Sequence, residues 1–298
     1  MPSIPESDQL RAWRAVPGDT EVSPGITAAD SVEFCAVPPV PDGVRLRTVR
    51  YREVQGVELA MLLWSPSGTT RPRPGVIFVH GGGWAGGDPL FHARHASELA
   101  ALGFVTATIQ YRLSVTAPWP AALDDARAAV TWVREQHQEL GLDPARVAVA
   151  GGSAGGHLSA MVAVTGGHAA EAVQAAVLWY PITDMRRAHP DLDPAVSLFL
   201  TGTADGLAGA GALLDAASPI THVTPACPPI LTMTGDADAA CPLPMIEDFH
   251  RRLDSAGVSN ELVVYPGAGH GWDLSLKSYR PSFDVMVAFL DQHLRGHS

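Results

Sequence analysis

One stretch restricts the folds open to this chain more than any other: Val147-Ala-Val-Ala-Gly151-Gly152-Ser153-Ala154-Gly155-Gly156. A short apolar run that suits a buried strand leads into G-x-S-x-G, after which Leu158, Met161 and Val162 recur at helical spacing. A serine on so sharp a strand-to-helix turn is crowded by the residues two before and two after it. Glycine at 151 and 155 removes the side chains that would collide. The turn also sets the N-terminus of the following helix, and the Ala154 N–H, beside the Ser153 hydroxyl. The pattern points to an exposed nucleophile; the bland alternative is a plain Gly-rich turn between strand and helix.

The rest of the chain supports that context. Val44–Tyr51 alternates apolar and polar residues as a half-buried strand does, and Val57–Trp64 can pair with it in antiparallel fashion. Short apolar runs then alternate with helical patterns at Val76–Val79, Phe104–Ile109, Val147–Ala150, Val173–Leu178, Ile230–Met233 and Leu262–Tyr265, as in parallel strands buried on both faces. Leu123, Ala126, Val130 and Val133 share one helical face. So do Ile246, Phe249 and Leu253, with Gly257 placed to stop that helix. The expected architecture is an open, twisted, mostly parallel sheet of about eight strands with helices on both faces.

Two segments stand outside the rhythm. Residues 1–43 carry Pro, Gly, Ser and Asp without sustained periodicity, apart from a short helix expected around Gln9–Ala15, and are read as an N-terminal arm able to join a cap. The interval from Tyr180 to Ile230 far exceeds the roughly 12–15 residues beyond which loops are usually functional insertions. An insertion at about 184–214, with short helices around Ala195–Leu200 and Gly206–Leu214, is expected to form a small cap on a catalytic domain of residues 44–298.

Composition narrows the classes of partner. Of 298 residues 46% are apolar and 17% charged, enough for a large core. The formal net charge of −11 repels phosphate backbones and anionic lipid, so neither nucleic acid nor a membrane surface is expected as a partner. Met1–Arg14 lacks a basic start followed by an apolar core, and cytoplasmic localisation is the expectation. Cys35, Cys227 and Cys241 are odd in number with no C-x-x-C pair, which favours buried free thiols over disulfides or a zinc knuckle. His92 and His95, at i and i+3, have no accompanying cysteine or H-E-x-x-H pattern and are assigned to surface or core, with no metal.

The remaining catalytic parts follow from chain order. His80-Gly81-Gly82-Gly83-Trp84 after an apolar run lets backbone N–H groups approach a developing oxyanion, and Gly82 and Gly83 are the chosen donors with Ala154. Gly81-x-Gly83-x-x-Gly86 also satisfies a dinucleotide fingerprint, but the next strand ends Ile109-Gln110-Tyr111 without the acid that would hold a ribose. After the serine an acid and then a histidine are required. Asp238 or Asp236, in Thr234-Gly235-Asp236-Ala237-Asp238, can orient the base. Asp238 is favoured because Gly-x-x-Asp lets the chain turn back before presenting its carboxylate. His270, in the glycine-rich loop after the last strand, can lay its imidazole against Ser153; His250 and His293 fall in helices and His297 in the tail. Trp84, Trp119, Trp272 and Tyr111 are aromatic candidates for the mouth of the site, and His157 packs or lines the pocket. Trp84, His157 and Trp272 are taken as the substrate-binding set.

His80–Trp84, Gly151–Gly156, Asp238 and His270 together resemble the α/β-hydrolase esterases, in particular the hormone-sensitive-lipase-like carboxylesterases with their H-G-G-G motif. The likeness extends over roughly Val44–Leu294 and includes Tyr111-Arg112-Leu113, Pro120–Asp125 and Ser218-Pro219. Gly152 and His157 stand where those esterases usually carry Asp and Asn, which draws the chain toward acetyl-xylan-esterase-like, feruloyl and arylformamidase-like relatives. The resemblance implies a cofactor-free serine carboxylesterase acting on a small-molecule ester through an acyl-enzyme, with short soluble acyl groups expected and a homodimer left open. An arylformamidase or other amide-cleaving hydrolase could use the same triad. A non-catalytic ligand-binding protein on this scaffold is the non-enzymatic rival.

Overall fold

The computed structural model describes residues 11, 14–15, 17–23, 26–68, 71–166, 170–187 and 192–295. Its centre is one eight-stranded sheet: β1 (Val44–Val54), β2 (Val57–Pro66), β3 (Arg73–Val79), β4 (Val105–Ile109), β5 (Leu142–Gly152), β6 (Ala175–Trp179), β7 (Ile230–Gly235) and β8 (Asn260–Tyr265). The spatial order is β8-β7-β6-β5-β3-β4-β2-β1. β1 pairs with β2 and β2 with β4 in antiparallel fashion, and every other pairing is parallel. The expected architecture of two antiparallel strands leading into six parallel ones is the observed one. Central β4, β6 and β7 are buried at every position, as strands covered on both faces must be, whereas edge strand β8 is only partly covered.

The helices include α1 (Ala28–Phe34), α2 (Ala93–Ala101), α3 (Ala121–Glu135), α4 (Ala154–Thr165), α5 (Asp193–Thr201), α6 (Gly211–Ala216), α7 (Leu243–Ser255) and α8 (Tyr279–Leu290). α3 packs against α4, and α2 against α8, where the Tyr279 hydroxyl donates to Glu98 at 2.6 Å. No described helix is long and apolar enough to cross a membrane. The antiparallel β1–β2 corner is clamped by charge. Arg112 donates to the fully buried Asp125 through Nε at 2.9 Å and Nη2 at 3.1 Å, and Arg52 reaches the same carboxylate at 2.6 Å.

The N-terminal arm is more structured than its lack of periodicity implied. Thr27 caps α1 in a reciprocal capping box with Asp30, and α1 buries Ala28, Ser31 and Phe34. The helix is too short for periodicity to reveal it, and the T-x-x-D cap was its one sequence signal. The helix expected around Gln9–Ala15 lies largely outside the described residues, as does His297. Within the insertion, α6 begins later than expected because Gly206 and Gly209 adopt φ of 104° and 78°, outside the helical region. Residues 188–191 of the insertion lie outside the described set.

Candidate active site

Strand order places the site. The parallel strands β3, β5, β7 and β8, with β6 lying between β5 and β7, end at Val79, Gly152, Gly235 and Tyr265, immediately before the segments carrying His80–Trp84, Ser153, Asp238 and His270. All four segments therefore emerge at one edge of the sheet, the carboxyl edge where ligands bind in open α/β folds.

Ser153 sits at φ 56°, ψ −122°, a strained conformation for a residue with a side chain. Its N–H donates to the Trp179 carbonyl at 2.9 Å, and its own carbonyl accepts the His157 N–H at 2.8 Å, so neighbouring elements hold the turn. A Cβ at Gly155 would stand 2.0 Å from the Val79 carbonyl oxygen, and one at Gly151 2.5 Å from that of Gly155. Glycine is required at both by the close approach of backbone. At Gly152 a Cβ would meet the Tyr180 hydroxyl at 3.1 Å, so the tyrosine fills the space beside this variable position of the elbow.

His270 Nε2 lies 2.8 Å from Ser153 Oγ, and His270 Nδ1 lies 2.9 Å from Asp238 Oδ2. Asp238 is buried and also accepts the Cys241 N–H at 2.8 Å. Asp236 turns elsewhere, accepting the Gly267 N–H at 2.6 Å and tying the ends of β7 and β8 together. With Nδ1–H donated to the carboxylate, Nε2 keeps a lone pair for the serine proton. Gly82 and Gly83 adopt φ of 120° and 59° and line, with Ser153, a cavity of ≈ 370 Å³. The N–H groups of Gly82, Gly83 and Ala154 donate to no backbone carbonyl in the described turns and loops.

The cavity wall differs in part from the expected one. Trp84 lines it, held by stacking on Phe199 of α5 at 4.4 Å. His157 does not reach it. It is fully buried, accepting from Trp84 Nε1 at 3.1 Å and facing the Ala217 carbonyl with Nε2 at 2.7 Å, which makes it a brace between the glycine loop and the end of the insertion. Trp272 does not reach it either, because its ring packs on Tyr265 at 4.1 Å. Tyr111 stacks on His80 at 4.3 Å and Trp119 packs toward Phe199, both behind the wall. The lining instead includes Ser31 of α1, Phe91, His92, Ile182, Leu192 and Leu274.

Sequence reasoning also missed Tyr180 and Asp273. Tyr180, at φ 36°, lays its ring 4.7 Å from that of His270, and its hydroxyl donates to the buried Asp273. The only sequence signal was an acid three residues beyond His270 in the same loop.

Burial holds several imidazoles neutral. It lowers His80 and His157 to about 4 and His95 to about 3, and takes His92 well below its ordinary range. In the unfolded chain each would take a proton near the ordinary value of about 6.5. The stability tied to these neutral rings is complete above that value and is lost as pH falls toward their folded values. Asp273, pushed up by burial to about 6, acts in the opposite sense: between its ordinary value and 6 the folded protein binds the proton more readily, offsetting one histidine. With roughly three unmatched protons at about 1.4 kcal/mol per pH unit each, stability should fall by several kcal/mol between pH 6.5 and 5. Thermal unfolding at pH 7.5, 6 and 5 checks this, and an unchanged midpoint would refute it.

Comparison with known proteins agrees with the geometry. Residues 61–253 match the family described as BD-FAE. Esterase LipC of Mycobacterium tuberculosis is 34% identical over 305 residues, covering 92% of this chain and 74% of LipC. Carboxylesterase NlhH of the same species is 31% identical over 281 residues, covering 83% of each chain. The solved thermophilic esterase Est2 of Thermogutta terrifontis, with propionate bound, superposes with a TM-score of 0.71 at 27% identity, covering 86% of this chain and 96% of that one. Est2 has also been solved with butyrate bound and phosphonylated by sarin.

Proposed function

Because the chain belongs to the BD-FAE family and is an α/β-hydrolase carboxylesterase of the hormone-sensitive-lipase-like type, we propose that it cleaves short-chain esters of small molecules through an acyl-enzyme on Ser153. The observation that carries this reading is the continuous relay from Ser153 Oγ through His270 to Asp238, at 2.8 and 2.9 Å. Ser153 attacks the acyl carbonyl while His270 Nε2 takes its proton, and Asp238 stabilises the imidazolium that forms. The N–H groups of Gly82, Gly83 and Ala154 receive the oxyanion. His270 returns the proton to the departing alcohol, and water then repeats the attack with the same base.

The volume of ≈ 370 Å³ is near the small end of ligand pockets, and the wall is mainly apolar, which supports a compact ester. The propionate and butyrate in Est2 support acyl groups of the same size. Ser31 of the N-terminal arm and Leu192 of the insertion line the cavity, which supports reading both segments as a cap over a catalytic domain of residues 44–298. A fluorophosphonate probe should label Ser153. p-Nitrophenyl acetate, propionate and butyrate should turn over at least about tenfold faster than the decanoate, since excess methylenes do not fit the wall. Matched anilides, acetylated sugars and feruloyl esters run alongside separate ester from amide cleavage and narrow the alcohol side. No labelling, or a preference for the decanoate, would refute the reading.

A further inference from the structure

We propose that Asp238, Cys241 and His270 form a binding site for a soft divalent cation, zinc or cadmium, and that its occupancy switches the esterase off. One carboxylate oxygen, the Cys241 sulfur and one His270 ring nitrogen all lie within 4.8 Å of one another, and the described residues contain no other such group of three. Oxygen, nitrogen and sulfur donors around one tetrahedral ion stand about 3–4 Å apart, given metal–ligand bonds of about 2.0–2.3 Å, so less than roughly 2 Å of closure is needed. Two donors are already fixed relative to each other, because the Cys241 N–H is bonded to Asp238 at 2.8 Å in the turn before α7. Asp238 and Cys241 are buried, and the partly exposed His270 provides the way in.

The donor set also suits the charge. A carboxylate, a thiolate and a neutral imidazole balance a divalent ion, so the occupied site carries no net charge into a buried place. Burial and the neighbouring Asp238 keep the thiol protonated in the free enzyme. The cation therefore enters as the thiol proton leaves to solvent, forming one metal–sulfur, one metal–nitrogen and one metal–oxygen bond. At His270 it takes the position between Nδ1 and the carboxylate now held by a proton, and that proton moves to Nε2. Nε2–H then faces Ser153 Oγ with no lone pair to accept the serine proton, and the base is lost while the fold is untouched. Cys241 performs no step in the proposed reaction, so its thiol is free for this purpose. The inhibitory consequence rests on the esterase reading above, but the binding does not.

The test titrates cadmium chloride into the full-length protein after treatment with EDTA. The expected result is one cadmium per chain, a thiolate-to-cadmium charge-transfer absorption rising in parallel with loss of p-nitrophenyl butyrate hydrolysis, and, on adding EDTA, disappearance of the absorption with return of the hydrolysis. Cys241→Ser and Cys241→Ala should keep the metal-free esterase activity, lose the absorption, and raise the half-inhibitory concentration at least about 10-fold to 100-fold, the range that even outer-shell partners command. Cys227→Ser should behave as wild type. Ser153→Ala should retain the absorption although inactive, so absorption without hydrolysis would indict the esterase reading alone. Full hydrolysis with no absorption, or Cys241 variants inhibited at the wild-type concentration, would overturn the cation site alone.

Discussion

Replacing Ser153 with alanine should lower turnover of p-nitrophenyl butyrate by a factor on the order of 10⁴ to 10⁶. The change removes one oxygen, the atom 2.8 Å from His270 Nε2. It leaves the backbone at φ 56° and the glycines at 151 and 155 as they are. Alanine fits the same turn, and the elbow keeps its hydrogen bonds to the Trp179 carbonyl and from the His157 N–H. The thermal midpoint should thus stay within a few degrees of wild type, which separates lost chemistry from lost structure. The remaining rate should still exceed that in water by about 10³ to 10⁴, because the backbone donors and the pocket persist. Ester turnover within tenfold of wild type, with the serine confirmed absent by mass, would remove Ser153 as the nucleophile.

The largest loss of stability should come from Asp125→Ala. Asp125 is fully buried and binds Arg112 through its side chain and also through the Arg112 N–H at 2.9 Å, while Arg52 shares the carboxylate. Removing it strands a guanidinium with only the Ala121 carbonyl at 3.2 Å among the bonds that remain to it. Breaking a buried pair from one side typically costs about 3–5 kcal/mol, which for a chain of this size corresponds to a midpoint lower by roughly 5–8 °C. The double variant Arg112→Leu with Asp125→Leu should recover much of that loss, since uncompensated charge and not lost attraction is the main cost. Chemical unfolding of the two variants measures both effects. A single variant within about 1 kcal/mol of wild type would show that water satisfies the stranded arginine.

Much of the architecture is legible in the sequence because it rests on short-range steric rules. Parallel strands covered on both faces must be nearly all apolar, and Val105–Ile109 and Ala175–Trp179 are buried throughout. The elbow is equally readable, since a Cβ at Gly155 would collide with the backbone of β3. The pocket wall was less legible. Trp272 and His157 stand beside the right motifs, yet one turns onto Tyr265 and the other becomes a brace. An aromatic ring is equally at home lining a cavity or packing behind it, and only its neighbours decide which. Ser31 and Leu192 came to the cavity from segments with no periodic signal at all.

By itself the sequence determined the sheet, the sharp turn at Ser153, and the acid and histidine loops that follow later strands, because local sterics and apolar periodicity act between near neighbours in the chain. The tertiary structure alone decided that His270 meets Ser153 117 residues away, that Tyr180 and Asp273 join behind it, and that Cys241 comes within reach of Asp238 and His270. These are distances between chain-remote atoms, fixed when strands of different sequence position align at one edge of a sheet.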